Sequence, residues 1–338
     1  MASRSVGGLR VHRSPEELLA AARAGDRAAL ARLITLVERG GEAAREVGRV
    51  TYPLGGRAHT VGITGAPGAG KSTLTSHLIR ARRVAGSDVA VLAVDPSSPF
   101  TGGAILGDRV RMQDHALDAG VFIRSMATRG HLGGLALATP EAVRALDAVG
   151  FEWVLIETVG VGQVEVEVAG AADTTVVVVN PGWGDAVQAS KAGLLEIADV
   201  FVINKADRPG VQEARRDLEH MLDMAGLLAR DGHGDAAGRW RPPIEASVAA
   251  RGEGVDEVWH AVDSHRTHLE KTGEIDRRRE SRMIEELRAI VVERLLDRAR
   301  KAGRGERFDG LRQRVFDREL DPYAAADEIL GWIEQPSS

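Results

Sequence analysis

Residues 60–74 read Thr60-Val61-Gly62-Ile63-Thr64-Gly65-Ala66-Pro67-Gly68-Ala69-Gly70-Lys71-Ser72-Thr73-Leu74. A β-branched run is followed at once by G-x-x-x-x-G-K-[S/T] and then by helix-forming sequence, STLTSHLIRARRVAG. Glycines at 65, 68 and 70 let backbone N–H groups curl around a phosphate. The helix start adds partial positive charge, Lys71 reaches the outer phosphates, and Ser72 offers a hydroxyl to magnesium. Residues Gly65 through Thr73 are therefore the candidate phosphate cradle, Ala66, Pro67 and Ala69 included.

The stretch between about Thr60 and Ser247 alternates short apolar runs with amphipathic segments. The runs are TVGIT, DVAVLAV, VFIRS, FEWVLIET, TTVVVV and DVFVINK, with a weaker one at PIEAS. Such alternation predicts βα crossovers and a mostly parallel sheet covered by helices on both faces, an α/β P-loop fold. Before it, SPEELLAAARAGDRAALARLITLVERG has Ser14 as cap, Pro15 at the first helical position and Glu17 placed to bond back. Gly25 divides this stretch into two short helices, which pack on the core or face a partner. After Gly254 the pattern is helical again. Arg277 to Arg300 carries an apolar stripe at Met283, Ile284, Leu287, Ile290, Val291, Leu295 and Leu296, which either packs back or forms a dimer. The expected organisation is an N-terminal helical segment (1–55), a P-loop domain (56–262) and a C-terminal helical arm (263–338).

Composition removes several alternatives. The chain has 338 residues, 43% of them hydrophobic and 28% charged, and a formal net charge of −5. It has enough apolar sequence for a large core and no broad basic field for nucleic acid. It has no cysteine, which excludes disulfides, thiolate metal sites and a thiol nucleophile. No apolar run approaches the ~20 residues of a membrane span, and Met1 to Arg13 lacks the apolar region of a signal peptide, so a cytoplasmic protein without membrane partners is expected. The only lysines are Lys71, Lys191, Lys205, Lys271 and Lys301. In so arginine-rich a chain, each lysine position invites a reason, because a compact ammonium and a planar fork do different work.

A second motif indicates the base. Asn204-Lys205-Ala206-Asp207 closes the run DVFVI at the edge where ligands of doubly wound sheets sit. Asp207 can accept from the ring N–H and the exocyclic amine of guanine. Adenine would leave the buried carboxylate unpaired, at a cost of about 1–3 kcal/mol. Lys205 would lie along the base. Asp95 after DVAVLAV, Glu157 of Glu157-Thr-Val-Gly160 after FEWVLIE, and Asp108 in GGAILGDRVRM offer hard oxygen ligands to magnesium, without a ranking among the three acids, the alternative for Asp95 and Asp108 being to cap a turn. Gln163 either orients the attacking water or begins the next helix.

These residues resemble a known family. GAPGAGKST, VDPSSPFTGGAILGDRVRM, the stretch from SMATRGHLGG through ETVGVGQVEV, and PGWGDAVQ with ADVFVINKAD are similar to the methylmalonyl-CoA mutase-associated GTPases of the MeaB/ArgK type. The likeness covers almost the whole chain. It implies a P-loop GTPase with N-terminal helices and a C-terminal dimerisation arm, and a homodimer. It further implies magnesium surrounded by Ser72, Asp95, Asp108 and Glu157, with Lys71, Asp108 and Glu157 serving GTP hydrolysis to GDP. The segment from Asp185 to Lys191 becomes the switch toward an adenosylcobalamin-dependent acyl-CoA mutase, whose cofactor loading and reactivation the nucleotide gates. Two positions depart from the family pattern. Val248-Ala249 stands where Ser-Ala is common, leaving the Ala249 N–H to bond the guanine carbonyl, with Val248 and Ala250 flanking it. Trp183 stands where a small residue is usual. The rival classes are a P-loop small-molecule kinase and a nickel- or zinc-insertion GTPase. Asn204 to Asp207 argues against an adenine-dependent version of the first, and the lack of cysteine or histidine-rich motifs against the second.

Overall fold

The seven apolar runs become seven strands, and their order places the phosphate loop at the centre. The computed structural model describes residues 13–96, 113–115, 117–128, 134–158, 170–182, 193, 196–230 and 240–334. Within them the elements run α1 (Pro15–Arg23), α2 (Arg27–Arg39), α3 (Gly41–Thr51), β1 (His59–Gly65), α4 (Lys71–Val84), β2 (Val89–Pro96), β3 (Val121–Thr128), α5 (Gly134–Val149) and β4 (Trp153–Thr158). There follow β5 (Thr174–Val179), β6 (Val200–Asn204), α6 (Val211–Arg230), β7 (Ile244–Ser247), α7 (Val255–Thr272), α8 (Glu274–Ala302), α9 (Glu306–Phe316) and α10 (Pro322–Glu334). The sheet order is β3-β2-β4-β1-β5-β6-β7, and every pairing is parallel. The order reverses on either side of β1, so its carboxyl end opens into the crevice where such sheets bind ligands.

Local chemistry sets the helix starts. Ser14 and Glu17 form a reciprocal capping box, with the Ser14 hydroxyl accepting from the Glu17 N–H and the Glu17 carboxylate accepting from the Ser14 N–H at 3.0 Å. Gly25, at φ +96°, separates α1 from α2, and Asp26 then caps α2 by accepting from the Ala28 and Ala29 N–H groups at 3.0 Å. The two short helices expected from the sequence are therefore present.

Strand alternation sends side chains to both faces, as expected of a sheet buried on each side. Val154 and Ile156 of β4 join Leu30, Leu33 and Ile34 of α2 and Leu146 of α5 in one core. Trp153 and Leu155 of the same strand join Leu74 and Leu78 of α4 and Val258 of α7 in another. A third, under α6, holds Val177, Val179, Phe201 and Ile203 with Leu218. The N-terminal helices thus pack on the core. Arg82 lies between Trp153 and Trp259, 4.2 and 4.0 Å from their ring centres, joining α4 to α7 by cation–π contact.

The chain divides into two compact units, Met1–Glu280 and Ser281–Ser338. In the second, α9 and α10 are joined by an Arg314–Glu328 ion pair and by Arg307 stacking over Trp332. No helix among the described residues is long and apolar enough to cross a membrane.

Leu33 is fully buried between α2 and the sheet. Leu33→Ala is expected to cost about 2–5 kcal/mol through lost burial and the residual cavity, read as a lowered denaturant midpoint for the unit that holds the sheet. A midpoint unchanged from the unmodified protein would show that α2 contributes nothing to it.

A candidate nucleotide site at the carboxyl edge of the sheet

Gly65 ends β1 against β5, and only glycine fits there. Its φ is +134°, and an added Cβ would lie 2.0 Å from the Val178 carbonyl oxygen. Gly70, at φ +93°, is equally confined, because a Cβ there would meet Asn204 Nδ2 at 2.3 Å. Between them the loop turns into α4, whose first turn has no side-chain cap. The N–H groups of that turn remain donors for an anion.

Lys71 and Ser72, the first residues of α4, are both buried. The Lys71 ammonium donates to the carbonyls of Gly65 and Ala66 at 2.6 and 3.2 Å, so it lies folded across the loop. The Ser72 hydroxyl donates to Glu157 Oε1 at 2.5 Å. Glu157 reaches this point because β4 pairs with β1 in a register that sets Glu157 opposite Ile63. A hydroxyl and a buried carboxylate, side by side next to a phosphate loop, are the hard oxygen donors that magnesium takes. Behind them, Thr158 donates to the Thr64 hydroxyl at 3.3 Å and steadies the ends of β4 and β1.

The second motif is joined to the first by one amide. Asn204 Nδ2 donates to the Ala69 carbonyl at 2.7 Å, and Asn204 Oδ1 accepts from the Ala249 N–H at 3.0 Å. The end of β6, the phosphate loop and the turn at Ala249–Arg251 are thereby held as one piece. Lys205 adopts a left-handed backbone, φ +59°, and donates to the Gly68 carbonyl at 2.6 Å. The Ala206 N–H bonds the Ser247 carbonyl at 3.0 Å, and the Asp207 side chain, expected to be buried, is 43% exposed at the rim of the loop.

The base-side loop differs from the sequence expectation in one detail. The Ala249 N–H, expected to serve the guanine carbonyl, donates to Asn204, because the tight turn that begins at Ala249 directs its first N–H inward. Val248 likewise spends its N–H on the Glu253 carbonyl, at 3.0 Å. Ala250 follows as an exposed residue of the same turn. Arg251 was not singled out in the sequence. Its guanidinium is held by Glu253 at 2.6 Å and stands 3.7 Å from Asp207 Oδ2. Only its position in the base loop, four residues after the end of β7, could have drawn attention to it.

Asp95 lies at the same edge by strand register, paired with Ala127 near the end of β2. Asp108, Gly160, Gln163, Trp183, Asp185 and Lys191 lie outside the described residues.

Known proteins are similar to this one over most of the chain. A Pyrococcus abyssi protein whose name places it among GTPases is 50% identical over 93% of this chain and 95% of its own length. The GTPase ArgK of Escherichia coli is 39% identical over 81% of this chain and 83% of its own. The crystal structure of an LAO/AO transport system kinase superposes with a TM-score of 0.66 at 28% identity, covering 95% of this chain and 98% of that one. The family model described as methylmalonyl-CoA mutase-associated GTPase MeaB matches residues 30–304. With a phosphate loop, a base motif strutted to it and a family match across most of its length, this chain belongs to the MeaB family of P-loop GTPases.

Proposed function

We propose that the chain binds and hydrolyses GTP as a chaperone of an adenosylcobalamin-dependent acyl-CoA mutase, gating cofactor loading and the protection or reactivation of that enzyme. The observation that carries the nucleotide half is the Asn204 strut. It couples the phosphate loop to the base motif, so that one ligand is read at both ends. The mutase half rests on the description of the matching family.

In this reading the loop N–H groups and the start of α4 bind the phosphates. Lys71 leaves the Gly65 and Ala66 carbonyls for the outer phosphates, where its charge offsets the charge that develops in transfer. Ser72 would hold magnesium directly, with Glu157 and the acids Asp95 and Asp108 completing the oxygen set, directly or through water. When bound, the ion supplies charge neutralisation between two phosphates. Glu157 also accepts a hydrogen bond from the Ser72 hydroxyl, which leaves the hydroxyl lone pairs for the ion. Asp207 accepts from the guanine ring N–H and amine. The N–H of Ala250, an exposed residue of the turn, is read as the donor to the guanine carbonyl, with Val248 and Ala249 shaping the turn.

Asp185 and Lys191 belong, by the same family reading, to the switch that reports nucleotide state. The apolar stripe on α8, where Met283, Leu287, Val291 and Leu295 are between 43 and 56% exposed, is the surface we assign to a homodimer. A cytoplasmic setting fits both. The kinase reading retains one point of support, the name of the LAO/AO structure. Phosphate release measured with and without small-molecule acceptors separates the two. Acceptor-dependent consumption of ATP would displace the GTPase proposal.

Three outcomes test the reading. The unmodified protein is expected to bind GTP in preference to ATP. Asp207→Asn should shift preference toward xanthosine triphosphate, whose ring offers a carbonyl in place of the amine; equal affinities for ATP and GTP in the unmodified protein would remove Asp207 from base recognition. Glu157→Ala should lower magnesium-dependent turnover about 100-fold or more, and unchanged turnover would place that carboxylate outside the metal site. Mutating Asp185 and Lys191 together to Ala should leave intrinsic hydrolysis within about a few-fold while abolishing stimulation by the cognate mutase. Full stimulation of the double variant would free that segment of a coupling role.

A further inference from the structure

The opposite, amino-terminal edge of the sheet carries a buried chain of ionisable groups that nucleotide chemistry does not use. Asp173 and Asp199 stand immediately before β5 and β6. Asp173 accepts from the Thr60 N–H at 3.0 Å and from Arg279 at 2.8 Å. Asp199 accepts from the Thr175 N–H at 2.8 Å and from Arg278 at 3.1 Å. Both arginines lie in the first turns of α8, so the two aspartates latch the root of that helix to the sheet.

Between the aspartates run two imidazoles and a hydroxyl. His265 Nδ1 is 2.9 Å from Thr174 Oγ1, which is 2.9 Å from His59 Nε2. The outer nitrogens face the carboxylates: His265 Nε2 is 3.2 Å from Asp199 Oδ1, and His59 Nδ1 is 3.8 Å from Asp173 Oδ2. Neither outer nitrogen makes a hydrogen bond, although both are buried. Proton counting requires at least one gap in this chain to stay empty. The chain has four gaps to fill, two to carboxylates and two to the hydroxyl. Two neutral imidazoles and one hydroxyl bring three protons, so with ionised aspartates every tautomer leaves one gap without a proton.

Burial keeps the imidazoles neutral, pushing His59 down to about 4 and His265 down to about 3. Burial also pushes the Asp199 carboxyl up to about 6, against the lowering effect of Arg278 and of the Thr175 N–H. The other charged groups facing the chain are Arg266, His268 and Glu270 on α7 and Glu274 on α8, while Asp147 and Asp276 face Arg279.

We infer that the Asp199–His265 pair, at one end of this proton-deficient chain, is a proton-binding site, and that its occupation on acidification loosens Arg278 and the root of α8. The sign follows from linkage. Arg278 disfavours a proton on Asp199 and on His265 alike. A proton on either group must therefore weaken the hold of Arg278 by the same factor. Trp240 donates to the Asp199 backbone carbonyl at 2.7 Å and its ring lies 4.8 Å from that of His265, so this part of the surroundings of the pair does not depend on Arg278. Acid consequently favours the unlatched form.

The test is amide exchange in the full-length chain, corrected for the intrinsic rate. Protection of residues 274–280 should fall roughly threefold or more between about pH 7.5 and about pH 5, while amides of β2 keep theirs. Asp199→Asn, which keeps the shape and removes the charge, should show the low protection at both pH values. Arg278→Gln should do the same, and it serves if the first variant does not fold. Constant protection of this segment in the unmodified protein would overturn the inference, as would a pH dependence that survives in either variant.

Discussion

The Asn204 amide is the contact on which the nucleotide edge depends. One side chain donates to the phosphate loop at Ala69 and accepts from the base-side turn at Ala249, while its own backbone closes β6 in register with Ser247. Three loops that would otherwise move separately share a single hydrogen-bonded node. The node is buried, so breaking it would leave polar groups without water to replace their partners. Gly70 is required by the same contact, because any side chain there would enter the space of the Asn204 amide.

The two ends of the sheet use charge in opposite ways. At the carboxyl edge, backbone donors and two ammonium groups converge on loop carbonyls, an arrangement suited to exchanging those contacts for phosphate. At the amino edge, carboxylates meet backbone N–H groups and arginines. Asp147 accepts from the N–H groups of Arg57 and Ala58, Asp173 from that of Thr60 and Asp199 from that of Thr175. Arg279 adds bonds to the carbonyls of Gly56 and Ala58 at 2.7 and 2.9 Å. These contacts fix where β1, β5 and β6 begin, and thereby where their other ends deliver Gly65, Asn180 and Asn204. A partly buried ion pair of this kind contributes little net stability when intact and costs more when one partner is removed. Its role in the fold is positional.

Much of the molecule was legible from local pattern. The seven strands, the division of the N-terminal helix at Gly25, the Ser14–Glu17 box and the phosphate loop each depend on residues within a few positions of one another. Periodicity and turn chemistry therefore suffice to read them. The adjacency of the two nucleotide motifs was also accessible, since both follow strands of one parallel sheet and must meet at its carboxyl edge.

Local sequence specifies the set of elements and the kind of ligand their loops suit. Tertiary structure alone decided which atoms are already committed. The Ala249 N–H belongs to Asn204, 45 residues away, and no local rule assigns a backbone donor to so distant an acceptor. The chain from Asp173 to Asp199 draws on β1, β5 and α7, with α8 supplying the arginines. In the sequence those residues are isolated histidines and acids with ordinary neighbours. Their proton affinities come from burial and from one another, and both exist only once strand order has brought the groups together.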